Sequence, residues 1–503
     1  MKKLNFIFII SLLLSASCTQ DYEDMSGIST KTYDEIVEIK NILELRSLSG
    51  TQGQKIKLLG YYSKNDKEAV EYIFQEGNYE DNGGSIIIPY NNPNGAWITN
   101  IHGFVSIKHY GAVGDTITNN TEIINNCIIN HDSVRIPEGV FRTNTIQAKS
   151  NLTIEGEGEL RLINTMQTHL FSIIDLENIV IRNIRLNGNH EVDLTQEPIH
   201  SFGVNLRGKS KNINIENVSF KNFGKDAIYI NESNIGDGKY PESIYINNCK
   251  IEYSQRHGIA IISAKDVFID NCDIQYCKLN CIDIEPNTGS TLIDEIYVRQ
   301  SKLDRKYIGD NATIQCSLGD IQNNPSIYKN IYLIGNTVTN KIRNKGFQNT
   351  FAIDNTITYI HYGISDFSVI RDNTLYYNKT TELRENTTGG IMTSLDSTLI
   401  ENNNIFGASY NGIVLYESSH CRINNNIIKD FGQLQSGSSK SAGIYIVREG
   451  NNNRMIGNHI SNSIAETSYG ISGSKSSGNI IKDNTFNVSV KYVLNFSNQE
   501  YVE

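Results

Sequence analysis

The chain has 503 residues, of which 39% are hydrophobic, 20% are charged and only 7 are proline. That composition excludes an intrinsically disordered chain and supplies a large core. With 45 Lys and Arg against 55 Asp and Glu, the formal net charge is -10. This speaks against a nucleic-acid groove, does not favour a polyanionic partner and accommodates a neutral one most easily.

The N-terminus reads as a targeting segment: Lys2 and Lys3, an apolar run from Leu4 to Leu14, then Ser15-Ala-Ser-Cys18. Small residues ending in cysteine resemble a bacterial lipoprotein signal. The resemblance implies a signal peptide over 1–18, lipidation of Cys18, and export to the outer membrane, with the acidic stretch Gln20 to Asp24 similar to a surface-export tag. Residues 19–30 then read as a linker. Seven cysteines remain: Cys127, Cys249, Cys272, Cys277, Cys281, Cys316 and Cys421. No Cys-x-x-Cys pair occurs among them, and Cys249 and Cys272 follow Asn-Asn and Asp-Asn in successive repeats. Stacked core thiols are therefore expected, rather than a disulfide framework or a zinc site.

Residues 31–103 form a small β-rich unit in this reading. Thr32 to Leu48 has the spacing of a weak amphipathic helix, Gly53 to Tyr62 alternates like a strand, and Asp81-Asn-Gly-Gly84 turns into Ile86-Ile-Ile88 before Trp97 closes the block. The order Lys57-Leu-Leu-Gly-Tyr-Tyr62, Asp81-Asn-Gly-Gly84 and Gly95-Ala-Trp97 resembles the module that precedes the main domain in bacterial and phage relatives of glycoside hydrolase family 28.

Residues 104–503 carry the second unit. Val105 to Asp115, a short helix, Val134-Arg-Ile-Pro-Glu-Gly139 and Leu152-Thr-Ile-Glu-Gly-Glu-Gly158 look like the entry motif of the pectate-lyase superfamily. That resemblance implies a right-handed parallel β-helix. Asn120 stands where it would cap the helix. Ile123, Ile124, Cys127 and Ile128 give that helix an apolar stripe, suited to covering the open first coil. From about Asn151 the sequence repeats a strand, an Asn-rich turn and a second strand. The inward residues Val204, Ile228, Ile259 and Ile282 recur at intervals of 24, 31 and 23 residues. Asn217, Asn248, Asn271, Asn336, Asn373 and Asn403 fall at equivalent turns, where side-chain amides can form ladders.

With Ile282 and Ile284 facing inward, Asp283 and Glu285 face outward on the same side of one strand. The same phase gives Asn205 and Arg207, Tyr229 and Asn231, Ala260 and Ile262, Thr313 and Gln315, then Ala352 and Asp354 as neighbours. Two carboxyl groups so close are suited to glycoside hydrolysis, one protonated to assist the leaving oxygen and one acting on water or carbon. Asp283 and Glu285 are the expected catalytic pair, and Arg256, His257, Tyr229, Asp226, Asn231 and Gln315 the expected substrate-binding residues.

Family 28 carries Asn-Thr-Asp, Gly-Asp-Asp, Gly-His-Gly and Arg-Ile-Lys on successive coils. Here Gly224-Lys-Asp226 stands at the second place and Arg256-His-Gly258 at the third, and no Arg-Ile-Lys occurs. Three readings stay open: a hydrolase with no cofactor or metal; a lyase acting on a uronate, for which Arg256, Arg207, Tyr229 and a Ca²⁺ ion would be recruited; and a non-catalytic glycan-binding β-helix. All three take a polysaccharide or oligosaccharide partner, and none takes a nucleic acid. In each, contact with a membrane comes only through the N-terminal lipid.

Overall fold

The computed structural model describes residues 36–99, 101–163, 168–190, 201–307, 311–318, 327–359, 363–378, 389–434, 441–464, 467–497 and 500–502. Cys18 and the signal segment lie outside them.

A five-stranded sheet built from Val37–Ile39, Lys55–Leu58, Val70–Glu76, Ile86–Ile87 and Gly95–Ile98 forms the first unit. It closes over its own apolar cluster, which includes Leu45, Tyr72, Phe74 and Trp97. Of the helix expected over Thr32 to Leu48, residues 32–35 lie outside the described residues, Ile42–Ser47 is helical, and Val37–Ile39 pairs instead as a parallel strand with Ile56 to Leu58. The β-branched Val37 and Ile39 gain ladder bonds that a marginal helix turn would not supply. Asn41 then caps the helix by accepting from the Glu44 N–H.

A second helix, Thr121–Asn130, packs Ile124, Cys127 and Ile128 against the entry of the solenoid. Asn120 stands at its N-cap, where its carbonyl accepts from the Ile124 N–H at 2.9 Å, but its side chain makes no cap bond. Its buried amide instead accepts from the Val113 N–H at 2.8 Å and donates to the carbonyls of Val113 and Thr118 at 3.0 and 2.8 Å. The Asn119 side chain accepts from the Thr121 N–H at 3.0 Å. Asn120 thus ties the loop before the helix together.

From Val105 onward the chain winds as a right-handed parallel β-helix. Each coil visits three parallel sheets in turn, here called the first, second and third faces, of 16, 15 and 14 strands. The inferred inward column is exact: Val204 pairs with Ile228, Ile228 with Ile259, and Ile259 with Ile282. Stacking the same side chain every coil, roughly 4.8 Å apart, produces one continuous core.

The turns between the first and second faces hold two kinds of asparagine. Asn217, Asn248 and Asn271 are exposed and left-handed, at φ 52°, 53° and 53°. Asn336, Asn373 and Asn403 sit one position further inward and are buried, in line with Asn355, Asn426 and Asn458. From Asn355 onward each buried amide oxygen accepts twice from the preceding coil: Asn403 Oδ1 takes the Asn373 N–H and Nδ2 at 3.0 and 2.9 Å. Earlier coils fill that inward position with Val218, Cys249, Cys272 and Ser301. This explains the repeated cysteines, and all seven described cysteines are free and buried. On the first face, Tyr245, Phe268, Tyr297, Tyr332 and Phe351 stack at centroid separations of 5.2, 5.0, 4.5 and 4.8 Å. Their faces are satisfied by each other.

Asn403→Ala strands two buried donors and should cost about 2–4 kcal/mol of stability. Asn271→Gly keeps the left-handed turn and should stay within about 1 kcal/mol of the wild type. Denaturant unfolding of the two variants checks the difference, and equal losses would contradict the ladder assignment.

Candidate active site

The third face carries the expected residues on strands β1 (Ser201–Arg207), β2 (Ile228–Asn231), β3 (Ile259–Ile261), β4 (Ile282–Ile284), β5 (Ile314–Ser317) and β6 (Ile342–Lys345). Strand register puts Asn205, Tyr229, Ala260, Asp283, Gln315 and Arg343 in one outward column. A second column begins with Arg207 beside Asn231 and ends with Ser317 beside Lys345. Glu285 follows β4 directly and donates its N–H to the Ile261 carbonyl at 3.0 Å.

Two of the inferred neighbours fall elsewhere. Asp283 lies beside Gln315, so Gln315 and Ser317 stand next to the acids, and Thr313 is buried at the entry to β5. Ala352 is buried on a first-face strand and Asp354 lies in the turn after it. The next coil of the third face is Ile342–Lys345. Its phase is hard to read because Asn344 occupies the inward position, where its amide donates to the carbonyls of Phe347 and Asp366 at 3.2 and 2.6 Å. Arg343 and Lys345 were therefore missed, although two cations at i and i+2 were a visible signal. Among the described residues neither side chain makes a hydrogen bond or ion pair.

Asp226 is fully buried. Its oxygens accept from Arg256, through Nε at 2.8 Å and through Nη2, and from the His257 N–H at 3.0 Å. Asp226 thus fixes Arg256 rather than facing a groove. The Arg256 guanidinium stays partly exposed and lies 6.0 Å over the Tyr229 ring, which itself stacks on Phe202 at 4.7 Å. Asn231 donates to the Tyr229 hydroxyl at 2.9 Å.

Asp283 points outward yet is only 3% exposed, with His257 Nε2 3.3 Å from its Oδ2 and Glu285 two residues on along the chain. Burial, reinforced by the Glu285 charge, holds the Asp283 carboxyl well above the usual carboxylate range. Burial also pushes His257 down to about 3. Both shifts favour the uncharged forms, which weakens this contact as an ion pair. The result is a buried carboxyl whose protonated form is favoured, beside a second, partly exposed carboxyl.

A model of the family described as "Periplasmic copper-binding protein (NosD)" matches residues 360–501, short of half the chain. Among the described residues no three His, Cys, Asp or Glu gather to hold a metal. His420 lies in the turn before Arg422–Asn424, His459 lies on the second face, and Cys421 is buried. Among the described residues of that stretch copper finds no fitting ligand set, and it enters no step below. A pre-neck appendage protein of Bacillus phage B103 is 28% identical over 253 residues, which is 44% of this chain. The chain spans 28% of the length of that curated relative.

Among solved structures, the tailspike gp49 of Acinetobacter baumannii bacteriophage Fri1, a capsular polysaccharide depolymerase, is 14% identical, with a TM-score of 0.48. The match covers 90% of this chain and 75% of that one. Pantoea stewartii WceF, a glycan biofilm modifying enzyme with a tailspike-like parallel β-helix fold, is 11% identical with a TM-score of 0.32. There the match covers 92% of this chain and 49% of the other.

The raised Asp283 pKa has a stability consequence. Above the unfolded value of 3.8, the unfolded chain gains by ionising Asp283 while the folded chain holds the proton, so this group weakens the fold as pH rises. Asp283→Asn should therefore raise the melting temperature at pH 7.5, with the gain shrinking towards pH 4. A gain that is equal at both values, or a loss at pH 7.5, would contradict the protonated acid.

Proposed function

We propose that the protein cleaves a polysaccharide by hydrolysis, with Asp283 as general acid and Glu285 as its carboxyl partner. The observation that carries this reading is a buried Asp283 on an outward strand column, whose protonated form is favoured by burial and by the neighbouring Glu285. Asp283 passes its proton to the glycosidic oxygen as the bond to the anomeric carbon breaks. Glu285 either accepts the proton of an attacking water or attacks that carbon itself.

Arg256, held by Asp226, offers a fixed guanidinium to a carboxylate, sulfate or hydroxyl of the glycan. Tyr229 and Asn231 supply a ring edge and an amide, and Gln315 extends the polar column by one coil. The cations Arg343 and Lys345 continue the columns beyond Gln315 and Ser317. The glycan-acting proteins that share the fold are likenesses of fold alone, and the proposal rests on the site.

A second reading, elimination next to a uronate carboxyl, is favoured by Lys225. Burial and the nearby Arg256 lower its amine below the usual lysine value, as a base requires. The two readings differ in product: hydrolysis releases reducing ends, whereas elimination also creates an unsaturated sugar that absorbs in the ultraviolet. We also propose export with a lipid anchor at Cys18, on the signal-like sequence of residues 1–18.

Screened against a panel of polysaccharides, the protein should release reducing ends without ultraviolet absorbance. Asp283→Asn and Glu285→Gln should each lower the rate by about 10²-fold or more. Full activity in both variants, or an unsaturated product, would overturn the assignment. Cys18→Ser should move the expressed full-length protein from the membrane fraction to the soluble one, and unchanged partition would refute the anchor.

A further inference from the structure

A second concavity lies away from Asp283, at the corner where the second face turns into the third. It has a volume of about 230 Å³ and is lined by Asp304, Arg305, Lys306, Tyr307, Asn340 and their neighbours. Strand register puts Asp304 beside Thr339 and Thr339 beside Thr358, so the cavity crosses several successive coils. That volume is below the roughly 300–1,000 Å³ of pockets that enclose drug-sized molecules. It suits a single ring.

Its chemistry is specific. Asn340 is 7% exposed, and its amide is fixed by donating through Nδ2 to the Asn311 carbonyl at 3.1 Å. The Asn340 Oδ1 atom is buried and has no partner. A buried acceptor left without a partner is unfavourable, and an O–H donor entering the cavity would satisfy it.

The charges nearby are already matched. Asp304 accepts from the Lys306 N–H at 3.1 Å and also holds its ammonium. The Arg305 guanidinium donates to the carbonyls of Lys278 and Asn311 at 3.3 and 2.9 Å. An anionic ligand would meet the Asp304 carboxylate, and a cationic one would meet Arg305 and Lys306. Tyr307, half-buried, offers an aromatic ring of the kind that packs against the C–H face of a sugar. On the same side of the solenoid, Tyr253 and Tyr276 stack at 4.7 Å, and Tyr253 lies three residues before Arg256. These rings line the corner between the cavity and the coil that carries the candidate active site.

We propose that this cavity is a binding subsite for one uncharged hexopyranose residue, whose hydroxyl donates to Asn340 Oδ1 while its ring rests on Tyr307. It is separate from the acid pair, and its occupancy does not depend on whether that pair cleaves glycans.

The test is saturation-transfer NMR on the full chain with glucose, galactose, mannose and N-acetylglucosamine, each at millimolar concentration. The variants are Asn340→Gly, chosen because Asn340 has φ +80°, and Tyr307→Ala, which keeps the test open should the first fail to fold. At least one sugar should give a transfer signal that falls three-fold or more in either folded variant and persists in Asp283→Asn. Absence of signal from all four sugars, a signal unchanged in both variants, or one lost in Asp283→Asn would overturn the proposal.

Discussion

The constraint on which the rest of this structure depends is the fixed step between coils. Parallel strands pair roughly 4.8 Å apart, so whatever a coil places at one position lies directly on its counterpart in the next. Isoleucines then form the core, amides form a buried ladder and tyrosines form a stack, each by repetition of one local choice. The site obeys the same rule. Asp283 faces Gln315 on one side and Ala260 on the other because β3, β4 and β5 keep register through their inward isoleucines. The small Ala260 leaves room above the acid for His257, which the turn before β3 delivers.

That delivery makes the acid unusual. His257 and Asp226 arrive from two consecutive turns, with Arg256 joining them, so the positive charge of Arg256 is spent on Asp226 and not on Asp283. Asp283 is left with burial and a carboxyl neighbour, and both favour its protonated form. Arg256 still pulls the other way, but from a distance and while already paired. An ion pair and a carboxyl whose protonated form is favoured thus sit side by side, and the division of labour between positioning and proton holding follows from which carboxylate pairs with the guanidinium.

Much of this was legible in the sequence. The period-2 pattern around Ile228, Ile259 and Ile282 defined the inward column, and through it the outward placement of Asp283. The solenoid also follows from the short units and their Asn-rich turns. Other features were not legible, for identifiable reasons. Counting coils forward from Ile282 placed Gln315 beside Glu285, two residues away from its observed partner Asp283, and then missed β6 altogether. The buried Asn344 hid the strand that carries Arg343 and Lys345, since a hydrogen-bonded amide fills an inward place that pattern reading reserves for an apolar residue. The turn asparagines looked alike in sequence, yet one residue of offset separates the exposed left-handed Asn271 from the buried Asn336. The burial of Asp226 depends on an ion pair across 30 residues, which no local pattern reports.

The central claim is that Asp283 holds a proton at neutral pH. Infrared difference spectroscopy between the wild type and Asp283→Asn at pH 7 tests it most directly. The account predicts that the wild type shows the carbonyl stretch of a protonated carboxylic acid, missing from the variant. If the difference contains only the paired bands of an ionised carboxylate, Asp283 is charged and the acid role assigned to it is wrong.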